Sequence, residues 1–228
     1  LRQKRLDSLK PVAVLCYKII MGKVQSIIRL LEKVYPESKT ALSFSNPFQL
    51  LVATILSAQT TDEQVNRITP SLFRKFPGPE DFSRATEEEI IREIRSVNFY
   101  RTKAKNIRRL AELLCRNFHG QVPARMSDLI KLPGVARKTA NVVLSQAFGK
   151  AEGIVVDTHV GRLARRLGLT EEEDPVKVEK DLMRLVPKAK WTTFPFLLMS
   201  HGRKICRARK PLCQQCLLKK LCPCPEKK

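Results

Sequence analysis

Apolar residues recur at helical spacing along most of this chain. The first clear window has the i, i+3, i+4, i+7 pattern of a helix with one buried face, formed by Phe48, Leu51, Val52, Ile55 and Leu56. The same spacing returns in three later windows, at Ile90, Ile91, Ile94 and Val97, at Ala104, Ile107, Ala111 and Leu114, and at Val178, Leu182 and Leu185. No stretch alternates apolar and polar residues with the period of two typical of a half-buried strand. The pattern predicts an all-α fold.

Residues that start and stop helices stand at the edges of these windows. Asn46 is placed to cap a helix that opens with Pro47, and Gln49 stands where it would close a capping box. Such signals fix where helices begin and end. Comparable ones are the capping-box spacing of Thr86 and Glu89, Asp174 followed by Pro175, and Gly168 as a helix stop.

Composition adds a constraint on the partner. The 228 residues suit one large domain or two small ones, and 43% apolar content is enough for a packed core. The net charge of +21 repels itself unless a partner neutralises it. A generic solubility charge or a thermophile surface would show a better balance of signs, so we expect a nucleic acid partner. The apolar runs fall far short of the ~20 residues that span a bilayer, and no membrane partner is expected.

Four of the seven cysteines are crowded near the C-terminus with gaps of six, two and five residues. Four thiolates this close in sequence can hold one tetrahedral metal ion or one cubane cluster, and spacing does not separate zinc from iron–sulfur. Cys16 and Cys115 stand alone in helical-looking segments, which argues against a secreted disulfide framework and favours a reducing intracellular compartment. The predicted ligands are Cys206, Cys213, Cys216 and Cys222, with basic residues between them and Cys224 as a spare thiol.

A Pro-Gly turn lies between two helical patterns, residues 126–132 and 136–148. Pro133 and Gly134 allow a tight bend that leaves N–H groups pointing outward at the positive end of the second helix. An ordinary helical hairpin would have the same spacing. With the basic excess of the chain, we interpret the turn as a seat for a phosphate.

Five motifs together give the chain a resemblance to a known family. They are the hairpin string LPGVARKTA at 132–140, VDTH at 156–159, the cysteine spacing, LSAQTTD at 56–62 and FYRTKA at 99–104. Taken together along roughly residues 24–222, they resemble the endonuclease III family of the helix-hairpin-helix DNA glycosylase superfamily.

The resemblance implies two helical lobes with a DNA-binding cleft between them. One lobe would be a six-helix barrel at residues 40–150 that contains the helix-hairpin-helix at 126–148. The other would combine residues 24–39 with 151–228 and hold a [4Fe-4S] cluster, with zinc as the alternative. Residues 1–23 are expected to be a basic N-terminal arm, although a trimmed start or a transit-peptide remnant would have the same composition.

The resemblance also implies a bifunctional enzyme. It would be a DNA N-glycosylase that removes oxidised pyrimidines, such as thymine glycol, and an AP lyase that cleaves the abasic site by β-elimination. Lys138 matches the catalytic lysine, whose amine would form a Schiff base with the sugar. Its place in the first turn of a helix, burial and Arg137 would help to keep it unprotonated. Asp157 matches the catalytic carboxylate, and it also stands where it would cap a helix.

Base extrusion would need side chains to fill the gap in the duplex. Gln59 and Phe99 match the residues that do this in the family, although Phe99 could instead be a core residue beside Tyr100. Ala136 replaces a glycine of the family hairpin, and a position that needs positive φ would be strained by it. The remaining predicted DNA contacts are Leu132, Gly134, Ala136 and Arg137.

Two alternatives stay open at this stage. The first is a monofunctional mismatch glycosylase of the same superfamily, although those relatives lack a lysine at the position of Lys138. The second is a non-catalytic DNA-binding module. The expected partner is double-stranded DNA with a damaged base or an abasic site, and the protein is expected to be a monomer. The expected location is the cytoplasm or nucleoid in a prokaryote, or the nucleus or mitochondrion in a eukaryote.

Overall fold

The computed structural model describes residues 11–224, with side chains from residue 19 onward. Within that range the secondary structure is helical and contains no strand, which confirms the all-α prediction. The α-helices are α1 (Pro11–Val34), α2 (Pro47–Leu56), α3 (Asp62–Lys75), α4 (Pro79–Arg84), α5 (Glu87–Ile94), α6 (Tyr100–Phe118), α7 (Met126–Leu129), α8 (Arg137–Phe148), α9 (Thr158–Arg166), α10 (Pro175–Leu185) and α11 (Phe194–Lys204). Short 3₁₀ turns occupy Lys188–Lys190, Cys213–Gln215 and Lys219–Leu221.

The described chain divides into two compact units. Residues 40–152 form one unit, and the described residues up to Lys39 join those from Gly153 onward to form the other. None of the described helices is long and apolar enough to cross a membrane.

Helix α2 is the centre of the unit formed by residues 40–152. It packs against α3, α6 and α8. Because it has neighbours on several sides, Leu50 and Ala53 are as fully buried as the predicted stripe residues Leu51 and Val52. The spacing therefore predicted the helix correctly but underestimated how much of its surface is covered. Helix α6 contacts α4 and α5 through a stripe that is completely buried, formed by Ala104, Ile107, Leu110, Ala111 and Leu114.

The predicted helix caps are present, with one change of partner. The Asn46 side chain accepts a hydrogen bond from the Gln49 amide at 2.9 Å. The Gln49 side chain accepts one from the Ser45 amide at 2.9 Å, so it does not close the box on Asn46. The reciprocal capping box of Thr86 and Glu89 forms as predicted. These caps satisfy amides that the first helical turn leaves without a partner.

The second unit is built on α1, α9, α10 and α11. Helix α1 begins at Pro11, inside the segment expected to be a basic arm, and residues 1–10 lie outside the described range. Ile20 and Met21 pack on the core of this unit, and the Lys23 amine donates to the Leu167 carbonyl at 2.6 Å. The predicted boundary at residue 23 therefore falls within a helix, because apolar contacts continue on both sides of it.

Candidate active site

The hairpin between α7 and α8 is a tight turn that requires glycine at one position. The amide of Leu132 bonds to the carbonyl of Leu129 at 3.0 Å, and that of Val135 bonds to Leu132 at 3.1 Å. Helix α7 therefore ends at Leu129, earlier than the predicted residue 132. Gly134 has φ +77°, and a Cβ there would lie 3.2 Å from the Cβ of Asn106. Both the backbone conformation and the available space select glycine.

Ala136 is compatible with the hairpin. Its φ of −83° and ψ of 167° are ordinary extended values at the N-cap of α8, so the condition for strain is not met. Alanine has no side chain that could cap the helix, and the first turn of α8 contains no acidic residue. The positive end of α8 is therefore not neutralised by its own N-cap, which suits an anion. Leu132 is buried in the core, so little of this predicted contact residue is exposed.

Lys138 lies in the first turn of α8 and is exposed. Within the described part of the chain, no hydrogen bond or ion pair involves its amine. The burial that was expected to help keep this amine unprotonated is absent, because Lys138 lies on the outer face of α8 while Ala140 and Val143 face the core.

A different lysine, Lys103, is the buried one. Burial lowers its pKa to about 8, and only 6% of the residue is exposed. Its amine donates to the carbonyls of Leu56 and Ala58 at 2.8 and 2.7 Å, and it also contacts the Thr60 hydroxyl at 3.3 Å. An enclosed amine with three acceptors is a structural group and is not accessible to a sugar. The sequence pattern missed it, because a lone Lys inside a helical stripe has no local signal of burial.

Asp157 is held by the helix that it caps. Its Oδ1 accepts the amide of Val160 at 2.8 Å, so the predicted cap is confirmed. The residues before it, 153–156, are buried, and this anchors the partly exposed carboxylate at the N-terminus of α9. His159, two residues after Asp157, is structural. Its Nδ1 accepts from Arg162 at 3.2 Å, burial lowers its pKa, and a Cβ at Gly202 would approach that nitrogen at 3.0 Å.

Gln59 and Phe99 are both exposed, and both have left-handed backbones, with φ of +55° and +56°. Phe99 is 62% exposed, so it is not a core residue beside Tyr100. Left-handed φ is uncommon for residues other than glycine, and it tends to persist where surrounding contacts enforce it at functional sites.

The four predicted cysteine ligands line one cavity of about 950 Å³, together with Cys224. Among the described residues, no three His, Cys, Asp or Glu side chains come close enough together to hold a single metal ion. Burial raises the pKa of the Cys216 and Cys222 thiols.

Partners of these sulfurs come from residues that the sequence pattern did not single out. Arg166 Nη1 donates to Cys206 Sγ at 3.3 Å, and the Cys222 thiol donates to the Arg166 carbonyl at 3.3 Å. The His201 ring is 3.3 Å from Cys216 Sγ, and Arg162 Nη2 donates to the Cys206 carbonyl at 3.0 Å. The two arginines lie on α9, whose first residue follows Asp157, so one helix carries the carboxylate and secures the cysteine segment.

Comparison with known proteins identifies the family. Residues 52–188 match the HhH-GPD superfamily of base excision DNA repair proteins. Endonuclease III of Synechocystis sp. is 50% identical over 201 residues, which cover 88% of this chain and 92% of that protein. Endonuclease III of Bacillus subtilis is 47% identical over 190 residues, which cover 83% and 86% respectively.

Comparison with solved structures supports the same family. A trapped endonuclease III–DNA covalent intermediate has a TM-score of 0.84 and 41% identity, covering 89% of this chain and 95% of the other. A thermostable thymine-DNA glycosylase has a TM-score of 0.79 and 27% identity, with coverages of 93% and 97%. Identity at this level over nearly the whole length shows common descent as well as a common fold. The chain therefore belongs to the endonuclease III family of the HhH-GPD superfamily of base excision DNA repair proteins, and it is a DNA glycosylase with AP lyase activity.

Proposed function

We propose that this enzyme binds double-stranded DNA, removes oxidised pyrimidines such as thymine glycol through Lys138, and cleaves the abasic site by β-elimination. The observation that carries the proposal is an accessible lysine in the first turn of α8, directly after the glycine hairpin. The same protein family includes a solved covalent DNA intermediate, which requires a nucleophile on the enzyme.

The reaction follows from amine chemistry. The neutral amine of Lys138 attacks C1′ of the deoxyribose, the glycosidic bond breaks, and the base leaves with a proton. The opened sugar and the lysine form a protonated Schiff base that acidifies C2′. Loss of a C2′ proton expels the 3′ phosphate, and water then hydrolyses the imine to release the enzyme.

Asp157 is proposed to stabilise positive charge on the sugar as the base departs. Its cap with Val160 supports this role, because it fixes the carboxylate in one orientation. The cap uses Oδ1, and within the described residues no hydrogen bond uses Oδ2.

Gln59 and Phe99 are proposed to enter the duplex when the damaged base leaves the stack. Unstacking and unpairing cost a few kcal/mol, which inserted side chains offset by filling the vacated space. Exposure of both residues on loops with enforced backbones supports this role.

The cysteine site is proposed to hold a [4Fe-4S] cluster. Four thiolates that line one cavity can hold either zinc or a cubane cluster. Membership of the endonuclease III family supports the cluster. Cys206, Cys213, Cys216 and Cys222 would hold it, and its contribution would be structural. It would keep the basic residues Arg207, Arg209, Lys210, Lys219 and Lys220 in a fixed arrangement for phosphate binding.

A mismatch glycosylase remains the second candidate. The likeness to a thymine-DNA glycosylase favours it, and that relative is 27% identical to this chain. Lys138 argues against it, because a monofunctional enzyme uses water as the nucleophile and needs no lysine at this position. We propose an intracellular location, where genomic DNA is found, and a monomeric state.

The test uses a panel of duplexes, each with one lesion, under single-turnover conditions with borohydride in parallel. Wild-type enzyme should release thymine glycol and be trapped covalently on DNA, while Lys138→Ala should give no trapped complex, because it lacks the amine proposed to form the imine. Lys105→Ala, which removes an exposed lysine from α6, is the matched control and should trap normally. Undiminished trapping by Lys138→Ala, or release of mispaired thymine without trapping, would contradict the proposal.

A further inference from the structure

The two exposed side chains proposed to enter DNA lie on loops that are joined by hydrogen bonds. The Gln59 loop (residues 57–60) follows α2, and the Phe99 loop (residues 95–99) precedes α6. The Asn98 amide donates to the Thr60 hydroxyl at 3.2 Å, and the Asn98 side chain donates to the Gln59 carbonyl. A further contact joins Gln64 Nε2 to the Ser96 hydroxyl at 2.7 Å. Neither loop can shift alone without breaking bonds to the other.

Lys103 is the point where both loops meet. Its backbone amide bonds to the Phe99 carbonyl at 3.0 Å, so its main chain ends the Phe99 loop. Its side-chain amine bonds to the carbonyls of Leu56 and Ala58, which lie 47 and 45 residues away, and to the Thr60 hydroxyl. These acceptors lie on both sides of Gln59. One residue therefore fixes the residue before α6 through its backbone and the whole Gln59 loop through its side chain.

Burial of a lysine at this place is unusual and needs a reason. Lysine is almost never fully buried unless its amine is paired, and here the amine is shielded while three acceptors use its three N–H groups. An apolar residue would fill the same space without the cost of burying a charge. The arrangement is therefore better explained by the geometry that the amine imposes on the loop than by packing.

The left-handed backbone at Gln59 and Phe99 is what that geometry maintains. Both residues pay a conformational penalty that neighbouring contacts must offset. The carbonyl on each side of Gln59 is fixed, by Lys103 at Ala58 and by Asn98 at Gln59 itself. Loss of the amine would free the Leu56 and Ala58 carbonyls and allow residue 59 to return to a common backbone region.

We infer that Lys103 is a positioning residue that holds Gln59 and Phe99 as one preformed wedge for base extrusion. This inference rests on the proposed function, because the wedge acts on double-stranded DNA. Lys103 touches neither the DNA nor the reacting atoms, and it acts through the two loops. Its effect should therefore be confined to substrates whose target nucleotide must first leave a duplex.

The test compares trapping on an abasic site in a duplex with trapping on the same site in a single strand, where no extrusion is needed. Lys103→Met keeps the length of the side chain and removes the amine. It should lower the duplex-to-single-strand ratio of trapping rates by about 10- to 100-fold, as expected for a misplaced group away from the chemistry. Lys105→Met, which removes an exposed lysine from the same helix, should leave the ratio unchanged. An equal loss on both substrates would overturn the inference.

A double-mutant comparison separates positioning from general stabilisation. In a background of Gln59→Ala and Phe99→Ala, no wedge remains for Lys103 to position, so Lys103→Met should produce no additional loss. If Lys103→Met lowers the trapping ratio by the same factor in this background as in wild type, Lys103 acts by another route. If Lys103→Met does not fold, Thr60→Val removes the shared hydroxyl and should lower the same ratio in the same direction, and a wild-type ratio would count against the inference.

A readout without chemistry distinguishes this inference from the proposed function. A duplex with 2-aminopurine beside the abasic site becomes brighter when the base unstacks. If wild-type enzyme brightens this duplex but does not trap on any DNA, the proposed function fails while the wedge remains. If Lys103→Met brightens it as strongly as wild type, the positioning role fails whatever the trapping result.

Discussion

Two lysines of this enzyme have opposite surroundings, and their chemistry follows from that difference. Lys138 is exposed in the first turn of α8 and has room to reach a sugar. Lys103 is buried, and its amine is committed to backbone carbonyls of the Gln59 loop. A lowered pKa by itself would select Lys103 as a nucleophile. Accessibility supports Lys138 as the proposed nucleophile, because an amine that cannot meet its substrate cannot react.

The pH dependence of the free energy of unfolding should reveal the lowered pKa of Lys103. Its pKa is about 8 in the folded protein and has its ordinary value of 10.5 in the unfolded chain. Between these values the unfolded state binds more protons, so the free energy of unfolding rises with pH. Relative to Lys103→Met, wild type should gain about 3 kcal/mol between roughly pH 7 and pH 10.5. Urea denaturation of both proteins measures this difference, and parallel pH curves would show that the pKa is not lowered.

At the scale of elements, the N-termini of α8 and α9 differ in their capping: α9 has a side-chain cap and α8 has none. Helix α8 begins after Ala136, which provides no capping side chain, and its positive end stays open. Helix α9 begins after Asp157, whose carboxylate caps it and opposes the helix dipole. One helix start is suited to a phosphate, and the other fixes the carboxylate that we propose to be catalytic.

Substitutions at Asp157 should separate its two roles. Asn caps helices as well as Asp does, so Asp157→Asn should retain stability and DNA affinity but slow base release. Asp157→Ala should slow base release as well and lose about 1 kcal/mol of stability, because the bond to the Val160 amide disappears. Single-turnover rates and urea denaturation distinguish the two variants. Equal rates for Asp157→Asn and wild type would remove the carboxylate from the chemistry.

At the scale of the whole molecule, the cysteine segment depends on the core of its own unit. Cys206, Cys216 and Cys222 pack against a core that includes residues from α1, α9, α10 and α11. Arg162 and Arg166 connect α9 to the same segment. A group bound by the cysteines would therefore stabilise a unit assembled from both ends of the chain, since binding only to the folded state adds to its stability.

The iron content of the protein should depend on the four predicted cysteine ligands. The purified wild-type protein should be brown, with four irons per chain and visible charge-transfer absorbance. Cys213→Ser should lose iron and colour and should lower the melting temperature of the protein. Cys115→Ser changes a cysteine of the other unit, and it should leave the iron content, the colour and the melting temperature unchanged. A colourless wild-type protein with one equivalent of zinc would exclude the cluster.

Much of the fold could be predicted because its signals are local. A cap joins residues three positions apart, as at Thr86 and Glu89, and a buried stripe repeats within two helical turns. The cysteine spacing and the hairpin string are equally short and can be recognised from the sequence alone. Errors arose where the answer depended on distant neighbours, as in the full burial of α2 and the start of α1 at Pro11.

The sequence by itself therefore determined the helical class, the helix caps, the family motifs and the residues that could carry chemistry. The tertiary structure decided that Lys138 is exposed, that Lys103 is buried against carbonyls 47 and 45 residues away, and that Gln59 and Phe99 take left-handed backbones. The physical reason is that exposure, desolvation and enforced φ depend on which distant segments surround a residue. No window of adjacent amino acids contains that information.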